Sequence, residues 1–282
     1  MPTVTRDRYD ALVLDLDGTL LDRRGKLSEP TRRAVRRARD AGYLVVIATG
    51  RSLSGARAVH QDLGLDTALC AYNGAWIGPA GGGAPWHYAP IPDEVLAHVE
   101  GIERRARWRF RHQGDHKYTH RADHPEHRRL ATWFHNVVQL DDPSHALPSR
   151  DLVRVSVFFD GEAASEEAWR ALSDEAREVL HRETFPLAIF PDFEDVGLVL
   201  CEVQRRGRGK AEALRWLEEE RGVPASRVVA AGDQANDVPM LEKAGLAVAM
   251  GNAIPAVRDV ADVVIGDHGE EGLSRWLDGE LI

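Results

Sequence analysis

The chain has almost no cysteine and very little lysine. Its 282 residues include two cysteines, Cys70 and Cys201. Each lies inside an apolar run, which fits a buried thiol and excludes a disulfide framework or a thiolate zinc centre. Lysine occurs only at Lys26, Lys117, Lys210 and Lys243, among 36 basic residues. An excess of positive charge is also missing: the formal charge is −9. Nucleic-acid binding depends on clustered cations, so no nucleic-acid partner is expected. No apolar run approaches the ~20 residues of a membrane span, and Met1 to Asp10 carries no apolar core of signal-peptide length. The expectation is a cytoplasmic protein without a membrane partner. Hydrophobic content of 43% and 29% charged residues suit a globular protein of one large or two ordinary domains.

What the sequence does have is one stretch that organises the rest, Leu12-Val13-Leu14-Asp15-Leu16-Asp17-Gly18-Thr19-Leu20. Ala11 to Leu14 is apolar without alternation, as in a strand of a parallel sheet covered on both faces. Buried charge without a partner is expensive, so two carboxylates at the end of such a strand point to use. Asp15 and Asp17 are two apart, and in an extended chain their side chains leave on the same side, where they can share one ion. Gly18 then allows a turn at the carboxyl edge of the sheet, where open α/β folds bind ligands.

A doubly wound α/β pattern follows. Ser28 to Ala41 reads as a helix, with Ser28 as cap, Pro30 in the first turn and Gly42 as stop. Tyr43 to Ala48 is a second strand ending at Thr49-Gly50-Arg51. A helix from about Ser52 to Leu63 and a third strand, Ala68 to Tyr72, lead to Asn73-Gly74. Pro79 to Pro85 is glycine-rich and reads as a hinge or hairpin loop.

The pattern then changes. Ten of the twelve histidines fall between His87 and His181. Expected here are helices at 93–106, 125–136 and 165–180 and strands at 107–111 and 153–159. Trp108 and Phe110 alternate with Arg107, Arg109 and Arg111, and Val153, Val155, Val157 and Phe159 with Arg154 and Ser156. Alternation implies a sheet packed on one face only, hence a second, α+β domain inserted in the first. After about Leu198 the first pattern returns, with an amphipathic helix at 210–221, a strand at Val228 to Ala231 ending in Gly232-Asp233-Gln234-Ala235-Asn236-Asp237, and strands near 246–250 and 263–265. The domain assignment is 1–83 and 187–282 for the core and 84–186 for the insertion.

Four strand or helix ends thus converge on one rim: Asp15 and Asp17, Thr49, Lys210, and Asp233 with Asp237. Several carboxylates with no arginine among them repel unless a hard cation sits between them, and an all-oxygen donor set favours Mg2+. A hydroxyl and an ammonium at the same rim suit a phosphoryl group. Singly, each has an ordinary explanation: Thr49 packing on its neighbour, Lys210 solvated, Asp237 capping a helix, Asn73 shaping a turn. Their joint order and spacing outweigh these.

In these residues the chain resembles the haloacid dehalogenase superfamily of phosphatases. The signatures stand in order: Asp15-Leu-Asp17-Gly-Thr-Leu, Ala48-Thr49-Gly50-Arg51, Lys210, and Gly232-Asp233-x-x-Asn236-Asp237. Tyr72-Asn73-Gly74-Ala75, Val238-Pro-Met-Leu241 and Met250-Gly-Asn-Ala253 resemble the Cof-type branch, which carries a large α/β cap between the second and third signatures. One departure is Ala211, where the family usually has glycine. The resemblance implies Mg2+ held by Asp15, Asp17 (through its carbonyl) and Asp233, with Asp237 at or beside the metal. It implies catalysis by Asp15 as nucleophile and Asp17 as acid and base, with Thr49 and Lys210 on the phosphoryl oxygens. Gly50, Arg51, Asn73 and Asn236 are expected at the substrate. Arg109 and Arg154 are expected on an open sheet face of the cap that closes over the phosphate site. The implied activity is hydrolysis of a small phosphorylated metabolite such as a sugar phosphate. The alternatives are a phosphomutase of the same superfamily and a binding protein that has lost turnover.

Overall fold

The computed structural model describes residues 8–22, 24–207 and 209–281. Its strands are β1 (Ala11–Leu14), β2 (Leu44–Ala48), β3 (Ala68–Ala71), β4 (Trp76–Pro79), β5 (His87–Tyr88), β6 (Trp108–Gln113), β7 (His116–His120), β8 (Val137–Leu140), β9 (Leu152–Phe159), β10 (Leu180–Pro186), β11 (Val199–Arg205), β12 (Val228–Gly232), β13 (Leu246–Ala249) and β14 (Val263–Val264). The helices used below are α1 (Glu29–Asp40), α2 (Leu53–Asp62), α3 (Leu96–Glu103), α4 (Pro125–Trp133), α5 (Glu162–Arg170), α6 (Asp174–Val179) and α7 (Glu212–Arg221).

The chain divides into two compact units. One holds the described residues up to Tyr88 and those from 209 onward, the other Ala89–Gly207. The first is built on a sheet of order β14-β13-β12-β1-β2-β3-β4-β5. Its pairs from β14 to β3 are parallel. The glycine-rich stretch after Pro79 turns a hairpin, so β4 and β5 add an antiparallel edge. β1 lies between β2 and β12, and all four of its residues are fully buried. The chain moves outward from β1 in one direction through β2 and β3, and in the other through β12, β13 and β14. That makes the carboxyl end of β1 the switch point of the sheet, the place where such folds open a crevice. Local chemistry sets the elements: Ser28 Oγ accepts from Thr31 N (3.2 Å) to start α1, and Ser52 Oγ accepts from Gly55 N (3.3 Å) to start α2. Val13, Val46, Cys70 and Ala230 on one face of the sheet pack with Leu214 and Leu217 of α7.

The inserted unit is a six-stranded sheet of order β10-β11-β9-β6-β7-β8, antiparallel except for β7 with β8. Here several expectations are corrected. Val199–Arg205 does not return to the core sheet; it pairs antiparallel with β9 and β10. The second core segment therefore starts at 209 among described residues, not at 187. β7 and β8 are not expected from the sequence: β7 has no apolar run, and β8 is only four residues long. Lys117 of β7 is fully buried, its Nζ donating to His135 O (2.8 Å). The single helix expected over 165–180 is two, α5 and α6. Ser173 caps the second by accepting from Ala176 N (3.2 Å), and the chain is already extended at Leu180.

The insertion's sheet is also packed on both faces. Val155, Val157, Phe159, Cys201 and Val203 pack against α3, α5 and α6, while Phe110, Phe158 and Leu200 pack with Leu130 of α4 and with Leu187, Phe193 and Val196. Register decides where the arginines go. Arg109 stands opposite Val157 and Arg111 opposite Val155, whereas Arg154 stands opposite His112. Directly opposed residues share a face. Arg109 and Arg111 therefore lie on the α3 side, and Arg154 lies on the other, with Phe110. The expected common open face of Arg109 and Arg154 does not exist. Arg111 is spent on buried Glu103, at 2.8 and 2.5 Å, and Arg107 pairs with Asp160 and Glu126. Arg154 Nη1 donates to Glu202 Oε2 (2.6 Å), and its Nε and Nη2 donate to Gln204 Oε1.

Candidate active site

At the carboxyl end of β1 the chain leaves the sheet with Asp15 buried. Beside it Thr49 follows β2, Asp233 follows β12, and the short helical turn Gly209–Ala211 presents Lys210. Lys210 Nζ lies 2.6 Å from Asp15 Oδ1 and 2.6 Å from Asp237 Oδ1. Carboxylate oxygens of Asp15, Asp233 and Asp237 lie within 4.8 Å of one another. The sequence reading brought these four together from separate strand ends, and the structure does so.

The two aspartates of the opening motif part company, however. β1 stops at Leu14, and a turn closed by Leu21 N on Leu16 O (2.8 Å) follows. The extended geometry that puts Asp15 and Asp17 on one side is lost. Asp17's carboxylate stands outside the three-carboxylate cluster, half-exposed and forked by Arg51, Nε to Oδ2 at 2.8 Å and Nη2 to Oδ1 at 2.6 Å. A shared ion through both side chains is therefore not what the geometry offers. Gly18 takes φ +86°, and a Cβ there would lie 2.4 Å from Asp233 Oδ2, so only glycine lets the two loops approach.

Asp237 is engaged at both oxygens: Oδ1 takes the Lys210 ammonium, and Oδ2 accepts from the backbone N–H of Asp233 and of Gln234, each at 2.9 Å. Its role in the geometry is to shape the loop and seat Lys210. Asp233 offers its carboxylate to the cluster, held by Thr19 Oγ1 (3.4 Å), Gln234 Nε2 (2.9 Å) and Asn252 Nδ2 (3.1 Å). Asn252 was legible only as part of a family stretch, with no role attached; Thr19 and Gln234 sat inside the motifs unassigned.

The substrate-side residues also gather. Thr49 Oγ1 accepts from Arg51 N (3.0 Å), and Asn73 N donates to Thr49 O (2.9 Å). Asn236 Nδ2 donates to Asn73 Oδ1 (3.0 Å), and a Cβ on Gly50 would meet that same oxygen at 3.1 Å. Tyr72 and Asn73 are consecutive left-handed residues, φ 54° and 53°. Such strain persists only where the surroundings impose it. Gly74 follows, where a Cβ would lie 2.2 Å from Gly209 O, the residue before Lys210.

The electrostatics are those of a site short of positive charge. Burial raises the Asp15 carboxyl well above the usual range; Lys210 pulls it down, but Asp237, Asp17 and Asp233 push it up. Burial likewise lifts Asp233 to about 6, against the Gln234 hydrogen bond and with help from Asp237. Burial alone would depress Lys210, but the carboxylates of Asp15 and Asp237 outweigh it and raise its pKa, so the ammonium stays charged. Three buried carboxylates face one ammonium. The remaining negative charge, presented by oxygen donors alone, fits a hard divalent cation.

A model of the haloacid dehalogenase-like hydrolases matches residues 12–277, and the chain belongs to that family of enzymes. Among its relatives is the 5-amino-6-(5-phospho-D-ribitylamino)uracil phosphatase YitU of Bacillus subtilis, 30% identical over 271 residues that cover 94% of this chain and 95% of the relative. The pyridoxal phosphate phosphatase YbhA of Escherichia coli is 29% identical, covering 96% and 98%. The X-ray structure of TM0651 from Thermotoga maritima superposes with a TM-score of 0.78 at 27% identity, covering 96% of this chain and 97% of that one. No helix among the described residues is long and apolar enough to cross a membrane.

Proposed function

We propose that this hydrolase is a phosphatase that requires a divalent cation, Mg2+ by its donor set, and releases inorganic phosphate from a small phosphorylated metabolite. The observation that carries the reading is the buried Lys210 ammonium bridging Asp15 and Asp237 beside Asp233. The activities of the two relatives named above, each on a small phosphorylated metabolite, support the substrate class.

In this reading an oxygen of Asp15 attacks phosphorus while the bond to the leaving oxygen breaks, giving an aspartyl-phosphate. Asp17 gives the leaving oxygen its proton and then takes one from the water that attacks the phosphorus of the intermediate. That second displacement frees phosphate and restores the Asp15 carboxylate. Arg51 donates to both oxygens of the Asp17 carboxylate, so this fork opens when Asp17 carries the proton that it gives to the leaving oxygen. Lys210 pulls the Asp15 carboxyl toward ionisation against its burial and, with Thr49, Gly50, Asn73 and Asn236, receives the phosphoryl oxygens. Asp15 and Asp233, with the Asp17 main-chain carbonyl, would hold the cation, which supplies neutralising charge to the phosphoryl group when bound.

The test is phosphate release from a panel of phosphomonoesters with Mg2+ and with chelator. Activity should vanish in chelator and return with Mg2+, and Asp15→Asn, nearly isosteric, should abolish turnover while keeping the native circular dichroism. Full activity in chelator, or turnover by Asp15→Asn, would overturn the proposal. Transfer of the phosphoryl group to a second hydroxyl without phosphate release would make the enzyme a mutase.

A further inference from the structure

We infer that Asn252 is a positioning residue for the cation site, acting through Asp233 and the turn that follows the nucleophile. The inference rests on the function proposed above. The amide has two N–H hydrogens and uses both on this site: Nδ2 donates to Gly18 O at 2.9 Å and to Asp233 Oδ2 at 3.1 Å. Its Oδ1 accepts from His268 N at 3.2 Å. The orientation follows from the partners, because the reverse would set an oxygen against two acceptors and an NH2 against an N–H.

Asn252 is itself rigidly placed. Gly251 N donates to Gly266 O (3.1 Å), and Met250 N donates to Gly232 O (3.1 Å). A Cβ at Gly251 would lie 2.6 Å from Asp267 N, so glycine is what allows this close approach. Ile254 N donates to Asp233 O (3.0 Å), tying the same loop to the Asp233 main chain. Three loops, following β1, β12 and β13, are therefore fixed at one amide.

The physical need is plain. Asp233 is crowded by Asp15 and Asp237, and like charges at that range disfavour one another. The other donors to its oxygens differ: Gln234 is an exposed residue of the same loop, its bond 2.9 Å, and the Thr19 bond is long at 3.4 Å. Asn252 reaches Asp233 from the loop after β13 and ties it at the same time to Gly18 O. Groups that orient a metal ligand in this way typically change metal affinity 10- to 100-fold when removed.

The experiment measures Mn2+ binding to the metal-free full-length protein by electron paramagnetic resonance, without substrate, alongside thermal unfolding. Asn252→Ala should weaken Mn2+ binding at least tenfold, and Gln234→Ala should weaken it less. Asn252→Ser, too short to reach both partners, should behave as Asn252→Ala and carries the test if the alanine variant does not fold. A folded Asn252→Ala or Asn252→Ser that binds Mn2+ within twofold of the parent overturns the inference. Asp233→Asn separates the two layers. If it abolishes Mn2+ binding while the Asn252 variants do not, only the positioning role fails; if it leaves Mn2+ binding intact, the cation site itself fails.

Discussion

Lys210 Nζ sits 2.6 Å from Asp15 Oδ1, across 195 residues of sequence and with both side chains buried. The ammonium donates to Asp237 at the same distance, so one cation holds the end of β1 and the loop after β12 at once. Taking such a group out of water is repaid only while its partners remain.

Lys210→Met should therefore fail twice. It removes the charge that receives the phosphoryl group, and it leaves Asp15 and Asp237 buried without a counter-charge. Breaking a buried pair from one side costs about 3–5 kcal/mol, so the unfolding midpoint in urea should fall clearly. Turnover should drop by about a hundred- to a thousandfold, the scale of a lost electrostatic contact at the reacting group. Loss of turnover with unchanged stability would mean that the carboxylates find other partners.

Asp233 gives the metal-free protein a pH dependence whose sign can be worked out. Its pKa is raised from 3.8 to about 6 in the folded state. The native state thus binds the proton more tightly than the unfolded chain does. This contribution is full below about pH 4 and is lost as the pH rises through about 6; its size is about 3 kcal/mol. In chelator, thermal stability measured from pH 4 to pH 7 should carry this loss beside that of Asp15, whose carboxyl is also raised, and Asp233→Asn should reduce it. Added Mg2+ should restore stability chiefly above pH 6, where the ligand is ionised. A parent and an Asp233→Asn variant with parallel profiles would refute the assignment.

The two arginines once expected to act together should behave differently. Arg154 is buried and donates to Glu202 and Gln204, and burial already raises the Glu202 carboxyl above its usual range despite Arg154. Arg154→Ala strands that carboxylate and should cost about 3 kcal/mol or more, a fall in Tm of roughly 6 °C or more for a chain of this size. Arg109 is half-buried on the opposite face, where its Nη2 lies 3.4 Å from His120 Nδ1. Arg109→Ala should move Tm by less than about 3 °C, the range of a partly exposed polar substitution. Equal falls for both variants would contradict the register that separates them.

The core was legible because its signals are local. An apolar run buried on both faces needs no partner to be recognised, and Ser28 and Ser52 cap their helices through residues three positions on. Asp15, Thr49, Lys210 and Asp233 could be named from the sequence because each ends a strand or starts a helix in a parallel sheet, and such ends share one edge. The inserted unit was less legible. Its strands β7 and β11 carry buried polar side chains such as Lys117 and Gln204, whose burial depends on partners distant in sequence, and β8 and β10 are mostly half-exposed. Which face an arginine takes was likewise settled by pairing register, since a shift of one residue exchanges the faces. The separation of Asp17 from Asp15 came from a turn that ends β1 at Leu14 and from Arg51, on the neighbouring strand end. What the sequence by itself determined was the set of groups and the edge they occupy. What only the tertiary structure decided was which of them touch, because contact depends on register, turn and burial, and those are properties of the packed chain.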